Sequence, residues 1–408
     1  MKKVYIGIAA LAVAAVAGLN MNFNSQKSVL SGVALANIEA LAGGWEKRIT
    51  IIMKAYLFYV CALFLFAFYC CQKEKTSIVE YFEDKSEYPL QSAILLTDDK
   101  VYNPLSLVSY NDTLLILHNA MSPTFFSLVN IQTKEVVKDF GTIGNGPGEF
   151  VGCLQIEKAV DPGFINTADN LQARMYQYSL DSILSSNKAL PINLFTGAVN
   201  ENTKNIYSRI LQIDDSIFIG MPGRAAGRFV IFNKNNHDSN GQGEYPKNES
   251  QPLLSESMIG SAYQGYLHFN RSNQKLVYAS SASEMLEIYT YKDMQITLDI
   301  GYYTTLPKYS LVEIGGAKGV KSHIRGGRFI GLSCSDNFIY ALYSKKDDDA
   351  SIFEKLIGNE ILVFDWAGVA IKKYKLDCEV KEISINKNEK IIYAIRDNPD
   401  PEVIYFEM

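Results

Sequence analysis

The order of apolar and polar residues after residue 90 predicts short strands and not long helices. Apolar or alternating runs of five to eight residues are separated by Asn, Asp, Gly and Ser, which is the pattern of strands joined by turns. A polar turn followed by a strand rich in Ile, Leu or Tyr occurs six times. The six strands begin near Leu114, Phe164, Ile217, Leu276, Phe338 and Ile391.

The spacing of this repeat predicts a β-propeller. The strand starts are 50, 53, 59, 62 and 53 residues apart, and a blade of four antiparallel strands needs roughly 40–50 residues or slightly more. Such units cannot bury both faces alone, so they pack around an axis. We therefore predict an all-β fold, a six-bladed β-propeller over residues 91–408. A β-sandwich or another multi-sheet fold is the alternative.

The last repeat is incomplete. It supplies three strands, EISINK, IIYAIRD and EVIYFE, and the sequence stops at Met408. A free third strand would expose its backbone to pairing with other chains. A lone strand, SAILLTD over Ser92–Asp98, precedes the first repeat. We predict that this N-terminal strand closes the last blade.

The first 71 residues contain two export signals in series. Residues 1–52 begin with two lysines and an Ala- and Val-rich stretch, as secretory signals do. The segment NIEALA, Asn37–Ala42, resembles the leader of the NVEALA family of secreted bacterial peptides. A second start at Met53 is followed by an apolar run of 17 residues that ends in cysteine. Because two signals are redundant, we interpret residues 1–52 as an upstream reading frame fused to this chain.

Residues 53–71 have the form of a lipoprotein signal, in which a small residue precedes the acylated cysteine. Tyr69 precedes Cys70 and is bulky, whereas Cys70 precedes Cys71 and is small. Cys71 is therefore the predicted lipidation site, and an uncleaved membrane anchor is the alternative. The polar residues 72–90 are interpreted as a tether that leads away from the lipid.

Composition removes several classes of function. A net charge of −5 argues against binding to nucleic acid. The four histidines have no metal-ligand spacing, and no HExxH, GxSxG or Walker A motif occurs. No metal, cofactor or catalytic residue is predicted, and the Asp347–Asp349 run indicates a solvated loop more than a calcium site. Cys153, Cys334 and Cys378 are expected to be buried thiols, with one disulfide among them as the alternative.

The segment Gly141–Phe150, GTIGNGPGEF, resembles the GxxGxGPGEF motif of NHL-type and TolB-like six-bladed propellers of exported bacterial lipoproteins. Ala168-Asp169-Asn170 followed by Arg174 also resembles an NHL blade. The resemblance implies the propeller fold and export. We place the predicted lipoprotein in the outer membrane and leave the periplasmic or surface face undecided, because the segment after Cys71, QKEKTS, has no acidic cluster.

Two function classes follow. The first is a binding or scaffold module of the cell envelope, with an unknown protein, a peptide or an anionic glycan as partner. The alternative is a propeller-type hydrolase or lyase acting on a glycan or peptide, which would gather acids and histidines around the channel. Convergence of two or more of His118, His268, Glu157 and Asp169 on the channel would favour the enzyme.

Three loops on one face of the predicted ring are candidates for ligand binding: residues 144–150, 222–229 and 321–329. Glycine allows backbone N–H groups to approach a ligand, and arginine suits carboxylate, phosphate or sulfate. The candidate residues are Arg224, Arg228, Lys321, His323, Arg325, Arg328, Gly144, Gly146 and Gly148. We expect a basic rim that attracts an anionic partner, and solvated loops without a ligand are the alternative.

Overall fold

The computed structural model describes residues 75–408 except 121, 147, 170–173, 187, 197–206, 223–226, 236–238, 248–253, 315–316, 324–325, 347–355 and 398. The described chain starts with a 3₁₀ helix at Ile78–Phe82, followed by β1 (Glu87–Leu90), β2 (Ser92–Leu96) and a 3₁₀ turn at Asp98–Lys100. The predicted leader, the lipoprotein signal with Cys71, and the Asp347–Asp349 loop lie outside the described residues.

Six antiparallel sheets follow, and they confirm the predicted propeller. Blade 1 contains β3 (Pro104–Ser109), β4 (Leu114–Asn119), β5 (Thr124–Asn130) and β6 (Glu135–Thr142). Blade 2 contains β7 (Cys153–Lys158), β8 (Phe164–Asp169), β9 (Arg174–Ser179) and β10 (Ile192–Thr196), with helix α1 (Leu180–Ser185) before β10. Blade 3 contains β11 (Tyr207–Gln212), β12 (Ile217–Pro222), β13 (Phe229–Asn233) and β14 (Ser239–Gln242).

The second half repeats this arrangement with two insertions. Helix α2 (Glu256–Ala262) precedes blade 4, which contains β15 (Gly265–Asn270), β16 (Lys275–Ser280), β17 (Met285–Lys292) and β18 (Gln295–Tyr303). A hairpin of β19 (Lys308–Ile314) and β20 (Ala317–His323) comes next. Blade 5 contains β21 (Arg328–Cys334), β22 (Phe338–Ser344), β23 (Gly358–Asp365) and β24 (Ala370–Val380). Blade 6 contains β25 (Glu382–Ile385), β26 (Ile391–Asp397) and β27 (Pro401–Glu407).

The first strand of each blade lies innermost. Each inner strand contacts the inner strand of the next blade, in the order β3, β7, β11, β15, β21, β25 and back to β3. All six therefore run in the same direction along a central channel. The face of the ring on which the inner strands begin is called the top face.

Blade 6 is completed as predicted. β2 pairs antiparallel with β27, with Ser92 opposite Phe406 and Ile94 opposite Ile404. Leu95 and Leu96 are buried in one apolar cluster with Val403. The N-terminal strand thus supplies the outer strand that the last repeat lacks.

Residues 77–90, here called the N-terminal segment, differ from the predicted tether. Ile78 and Phe82 are fully buried among apolar side chains of blades 4 and 5, and the ring of Phe82 lies 5.0 Å from that of Phe364. β1 then pairs in parallel with β24 as a fifth strand of blade 5. The tether interpretation is wrong for these residues because two apolar side chains, one helical turn apart, anchor an otherwise polar stretch.

A buried carboxylate holds the start of this segment. Glu284 is 3% exposed. It accepts hydrogen bonds from the Ser77 hydroxyl at 3.0 Å, the Ile78 backbone N–H at 2.9 Å and the Thr304 hydroxyl at 2.9 Å. The Tyr343 hydroxyl also donates to it. Four donors from three segments of the chain compensate for removing this carboxylate from water.

Candidate ligand-binding cavity

Arg228, one of the arginines of the predicted basic rim, is buried and not on the surface. Arg228 is 1% exposed, and its guanidinium pairs with Glu287 at 2.5 Å in the seam between blades 3 and 4. Tyr289 and Tyr303 donate hydrogen bonds to the same carboxylate at 3.0 and 2.6 Å. The guanidinium carbon lies 4.2 Å from the centre of the Tyr278 ring. The expectation that Arg228 is available to a ligand is wrong, because aromatic side chains close around it.

Of the other rim residues, the structure describes Arg328, Lys321 and His323. Arg328 begins the inner strand β21 and is also 1% exposed, so its predicted surface position is wrong as well. Lys321 is exposed on β20, and the His323 imidazole lies 2.9 Å from the Ser310 hydroxyl across the same hairpin. Arg224 and Arg325 lie outside the described residues. A ligand role for Lys321 and His323 stays a prediction.

In the glycine loop that joins blades 1 and 2, the backbone forms a hydrogen bond with a side chain of the same loop. The Glu149 carboxylate accepts a hydrogen bond from the Gly146 backbone N–H at 2.9 Å. A Cβ on Gly144 would lie 2.1 Å from the same carboxylate, and Gly148 has a positive φ of 74°. The glycines therefore leave room for Glu149 and for the turn before the buried Phe150. Ligand binding by Gly144, Gly146 and Gly148 stays a prediction.

A cavity of about 450 Å³ opens instead in the channel, at the top face. Such a volume lies in the range of small-molecule sites, roughly 300–1,000 Å³. Blades 1, 3, 4, 5 and 6 contribute to its wall. Its polar and ionisable lining includes Ser106, His118, Arg209, Tyr266, Lys381 and Glu382. This site is called the top cavity.

Backbone irregularities orient the wall of the top cavity. The pairing register shifts by one residue at Leu105 in β3, at Ser208 in β11 and at Ile330 in β21. All three of these extra residues line the cavity. A β-bulge bends its strand and redirects side chains, and bulges are frequent beside binding sites. The inner strands of blades 1, 3 and 5 therefore each have a β-bulge in the wall of the cavity.

Arg209 controls the electrostatics of the top cavity. Its guanidinium lies 5.5 Å from the centre of the Tyr266 ring. Burial raises the pKa of the Glu382 carboxyl to about 7, although a backbone hydrogen bond and the charge of Arg209 oppose the rise. Burial, followed by the charge of Arg209, lowers the pKa of His118 to about 4. At neutral pH the cavity thus combines a cation, a neutral imidazole and a partly ionised carboxyl.

A second set of polar residues, which includes Glu157 and His268, lies deeper in the channel. Glu157 accepts hydrogen bonds from the Gln212 backbone N–H at 3.1 Å and the Asn166 amide at 3.4 Å, and burial raises its pKa to about 7. Burial and the charges of Arg271 and Lys158 lower the pKa of His268 to about 4.

Three of the four groups considered for catalysis lie along the channel, at two different depths, and the fourth lies outside it. His118 lines the top cavity, whereas Glu157 and His268 belong to the deeper group. Asp169 is fully buried and accepts hydrogen bonds from the backbone N–H groups of Val151 and Gly152 at 2.8 and 3.4 Å. The sequence reasoning missed Arg209, Tyr266 and Glu382, because only the ring brings them together.

Three observations concern only the described part of the chain. It contains no group of three or more His, Cys, Asp or Glu placed to hold a metal ion. None of its helices has the length and apolar character to span a bilayer. Cys334 and Cys378 are free thiols, as predicted, and neither forms the disulfide that was the alternative.

A profile of the family described as TolB-like 6-blade propeller-like matches residues 82–388. The chain belongs to this family. The fold of this TolB-like propeller also resembles solved structures. A DUF4221 family member from Bacteroides vulgatus ATCC 8482 has 12% identity and a TM-score of 0.54, with 78% of this chain and 95% of that chain covered.

A protein from Bacteroides fragilis NCTC 9343, described only as an inferred exported protein, has 12% identity and a TM-score of 0.46, covering 78% of this chain and 98% of its own. The β-propeller domain of Cps50 (Swd1) from Myceliophteria thermophila has 7% identity and a TM-score of 0.42, covering 75% and 96%. No curated protein matches the sequence. At these identities the likenesses concern the fold alone.

Proposed function

We propose that this TolB-like propeller is an exported binding module that holds a small ligand in the top cavity. The observation that carries the proposal is that three inner strands have β-bulges whose extra residues, Leu105, Ser208 and Ile330, all line one cavity. Polar groups from several blades converge there, as in small-molecule sites of other proteins. The loops that were predicted to bind a ligand lie on the same top face, so they could contact a ligand held in this cavity.

The anchoring part of the proposal rests on the sequence. The apolar run before Cys71 and the polar residues after it support lipidation of Cys71 and placement in the outer membrane. Cys71→Ser is expected to move the protein out of the membrane fraction, or to leave an unprocessed precursor. Palmitate labelling that persists in this variant would show that another cysteine is acylated.

The binding site is tested by filling the cavity. Leu105 is 46% exposed at its wall, and Leu298 on the outer strand β18 is 44% exposed away from it. Leu105→Trp and Leu298→Trp therefore add the same bulk at similar exposure. Both variants and the parent are probed with an array of mono- and oligosaccharides and short peptides. We expect compounds that bind the parent to lose at least tenfold in affinity for Leu105→Trp alone, whereas equal binding by all three proteins overturns the proposal.

A further inference from the structure

The charged residues of the top cavity indicate which class of ligand it would bind. This inference rests on the proposed function. Lys381 is already neutralised, because its ammonium lies 2.6 and 2.8 Å from the two carboxylate oxygens of Asp397. Arg209 and Glu382 belong to blades 3 and 6, which stand opposite each other in the six-bladed ring. The cation and the acid therefore occupy facing walls of one cavity.

The positive potential of Arg209 reaches groups on three other blades. Its charge lowers the pKa of His118 on blade 1, and it opposes the burial-driven increases in the pKa of Tyr266 on blade 4 and Glu382 on blade 6. An anion bound anywhere between these walls would gain from the same field. Glu382 would repel a dianion more strongly than a monoanion, which disfavours phosphate relative to carboxylate.

Among the described residues, the remaining polar lining is neutral and suits hydroxyl groups. The Ser106 hydroxyl lies 3.5 Å from Nδ1 of His118, and an uncharged imidazole offers one donor and one acceptor. Ser208, Ser281 and Gln264 add further donors and acceptors to the wall. The cavity thus offers one arginine fork together with several neutral hydrogen-bonding groups.

We propose that the top cavity binds a small hydroxylated acid, such as a uronic acid, with Arg209 pairing with the carboxylate and the serine, histidine and tyrosine groups bonding the hydroxyls. An arginine forms two parallel hydrogen bonds with a carboxylate, which fixes the orientation of the acid as well as its charge. The acid is either a free sugar or the end of an acidic oligosaccharide.

The affinity of such an acid depends on pH through Glu382. Its neighbours are Arg209 from blade 3, Tyr266 and His118 from blades 4 and 1, and the paired Lys381 beside it. With pKa values of about 12 and about 4, Tyr266 and His118 keep their protonation state between pH 6 and 8. As the pH falls through about 7, Glu382 becomes neutral and stops repelling the ligand. Binding should therefore strengthen from pH 8 to pH 6.

The test is calorimetric titration with D-galacturonate and D-glucuronate and with the neutral sugars D-galactose and D-glucose. Arg209→Gln removes the proposed carboxylate partner, and Lys292→Gln removes one charge from an exposed turn of β17 as a matched control. We expect at least tenfold weaker uronate binding by Arg209→Gln and no change for Lys292→Gln. Neutral sugars should bind at least tenfold more weakly than their acids.

Two further arms complete the experiment. Titration with tetragalacturonate distinguishes a free sugar acid from the end of an oligosaccharide. If the protein binds tetragalacturonate more tightly than D-galacturonate, the ligand is a polymer end, and equal affinities indicate a free acid. Glu382→Gln should abolish the pH dependence, whereas Glu157→Gln should retain it.

Absence of uronate binding, equal binding of acids and neutral sugars, or unchanged uronate binding by Arg209→Gln overturns the proposal. If a neutral compound then loses affinity for Leu105→Trp, the cavity remains the binding site and only the ligand class is wrong.

Discussion

The seam between blades 3 and 4 and the top cavity each contain an arginine near a glutamate, but the surroundings differ. In the seam, Arg228 and Glu287 are 2.5 Å apart, and both side chains are 1% exposed. In the cavity, Arg209 and Glu382 are partly exposed and stand on facing blades. The sequence around Arg228, an arginine among glycines, looked like a ligand loop. Packing, and not residue type, decides which arginine can meet a ligand.

The difference has an energetic basis. Burial alone would lower the pKa of Arg228, but Tyr278, Tyr289 and Glu287 more than offset it and keep the guanidinium charged. Removing one partner of such a pair leaves an isolated buried charge, which costs several kcal/mol. Water can replace a lost partner in the cavity. Seam residues should therefore govern stability, and cavity residues should govern binding.

The largest expected loss of stability comes from deleting Ser92–Asp98. This removes the outer strand of blade 6 and leaves the edge of β27 that faced β2 unpaired. Each buried polar group without a partner costs roughly 1–3 kcal/mol, and several such losses approach the typical stability of a domain, about 5–15 kcal/mol. We expect little soluble protein, measured as soluble yield and melting temperature. Deletion without change in either quantity would contradict the closure.

Glu287→Ala and Glu382→Ala compare the two acids directly. Glu287→Ala strands Arg228, so the free energy of unfolding should fall by about 3–5 kcal/mol. Glu382→Ala should not lower it, because burial raises the pKa of Glu382 and its ionised form is therefore disfavoured in the folded state. Urea unfolding measures both values. The double variant Arg228→Met/Glu287→Leu should recover much of the loss, and similar losses for the two single variants would remove the distinction between seam and cavity.

Ile78→Val probes the seam between blades 4 and 5, where the N-terminal segment packs. Loss of one methylene from a fully buried isoleucine typically costs about 0.5–1.5 kcal/mol. Ile94→Val makes the same change at a side chain that is 43% exposed and should have almost no effect. Thermal melts of the two variants at one pH provide the comparison. A smaller loss for Ile78→Val than for Ile94→Val would mean that the segment is not part of the core.

The smallest effect concerns Glu157 and Glu382, whose pKa values are both raised to about 7. A carboxyl that holds its proton more tightly in the folded state destabilises the fold as the pH rises from its unfolded value, near 4.3, through about 7. Glutamine cannot ionise, so each Glu→Gln variant should gain more melting temperature over the parent at pH 8 than at pH 5. Exposed Glu407→Gln is the control. Parallel melting curves at both pH values would argue against the buried carboxyls as the cause.

Part of this organisation could be predicted from the sequence. The six apolar strands follow from a repeat that recurs along the chain, and the incomplete last repeat indicated β2 as its missing strand. The bulges at Leu105, Ser208 and Ile330 could not be found in this way, because one extra residue leaves a short alternating run almost unchanged.

Burial of Arg228 could not be predicted from the sequence either, because its partner Glu287 belongs to the next blade. The top cavity escaped prediction for a related reason. It exists only where residues far apart in the chain meet around the ring. Local patterns therefore predict blades, whereas sites between blades depend on contacts that no local pattern contains.

The N-terminal segment also gives this protein a mechanical property. A pull applied at Lys75 would first load the hydrogen bonds of Ser77 and Ile78 to Glu284 and the buried Ile78 and Phe82 side chains. Tension would reach β2 only after this attachment had torn. Pulling single molecules through Lys75 should show a first rupture in the parent that is weakened in Glu284→Ala. The segment would take up a load applied at Lys75 before that load reached β2, and the ring would stay closed until the segment detached.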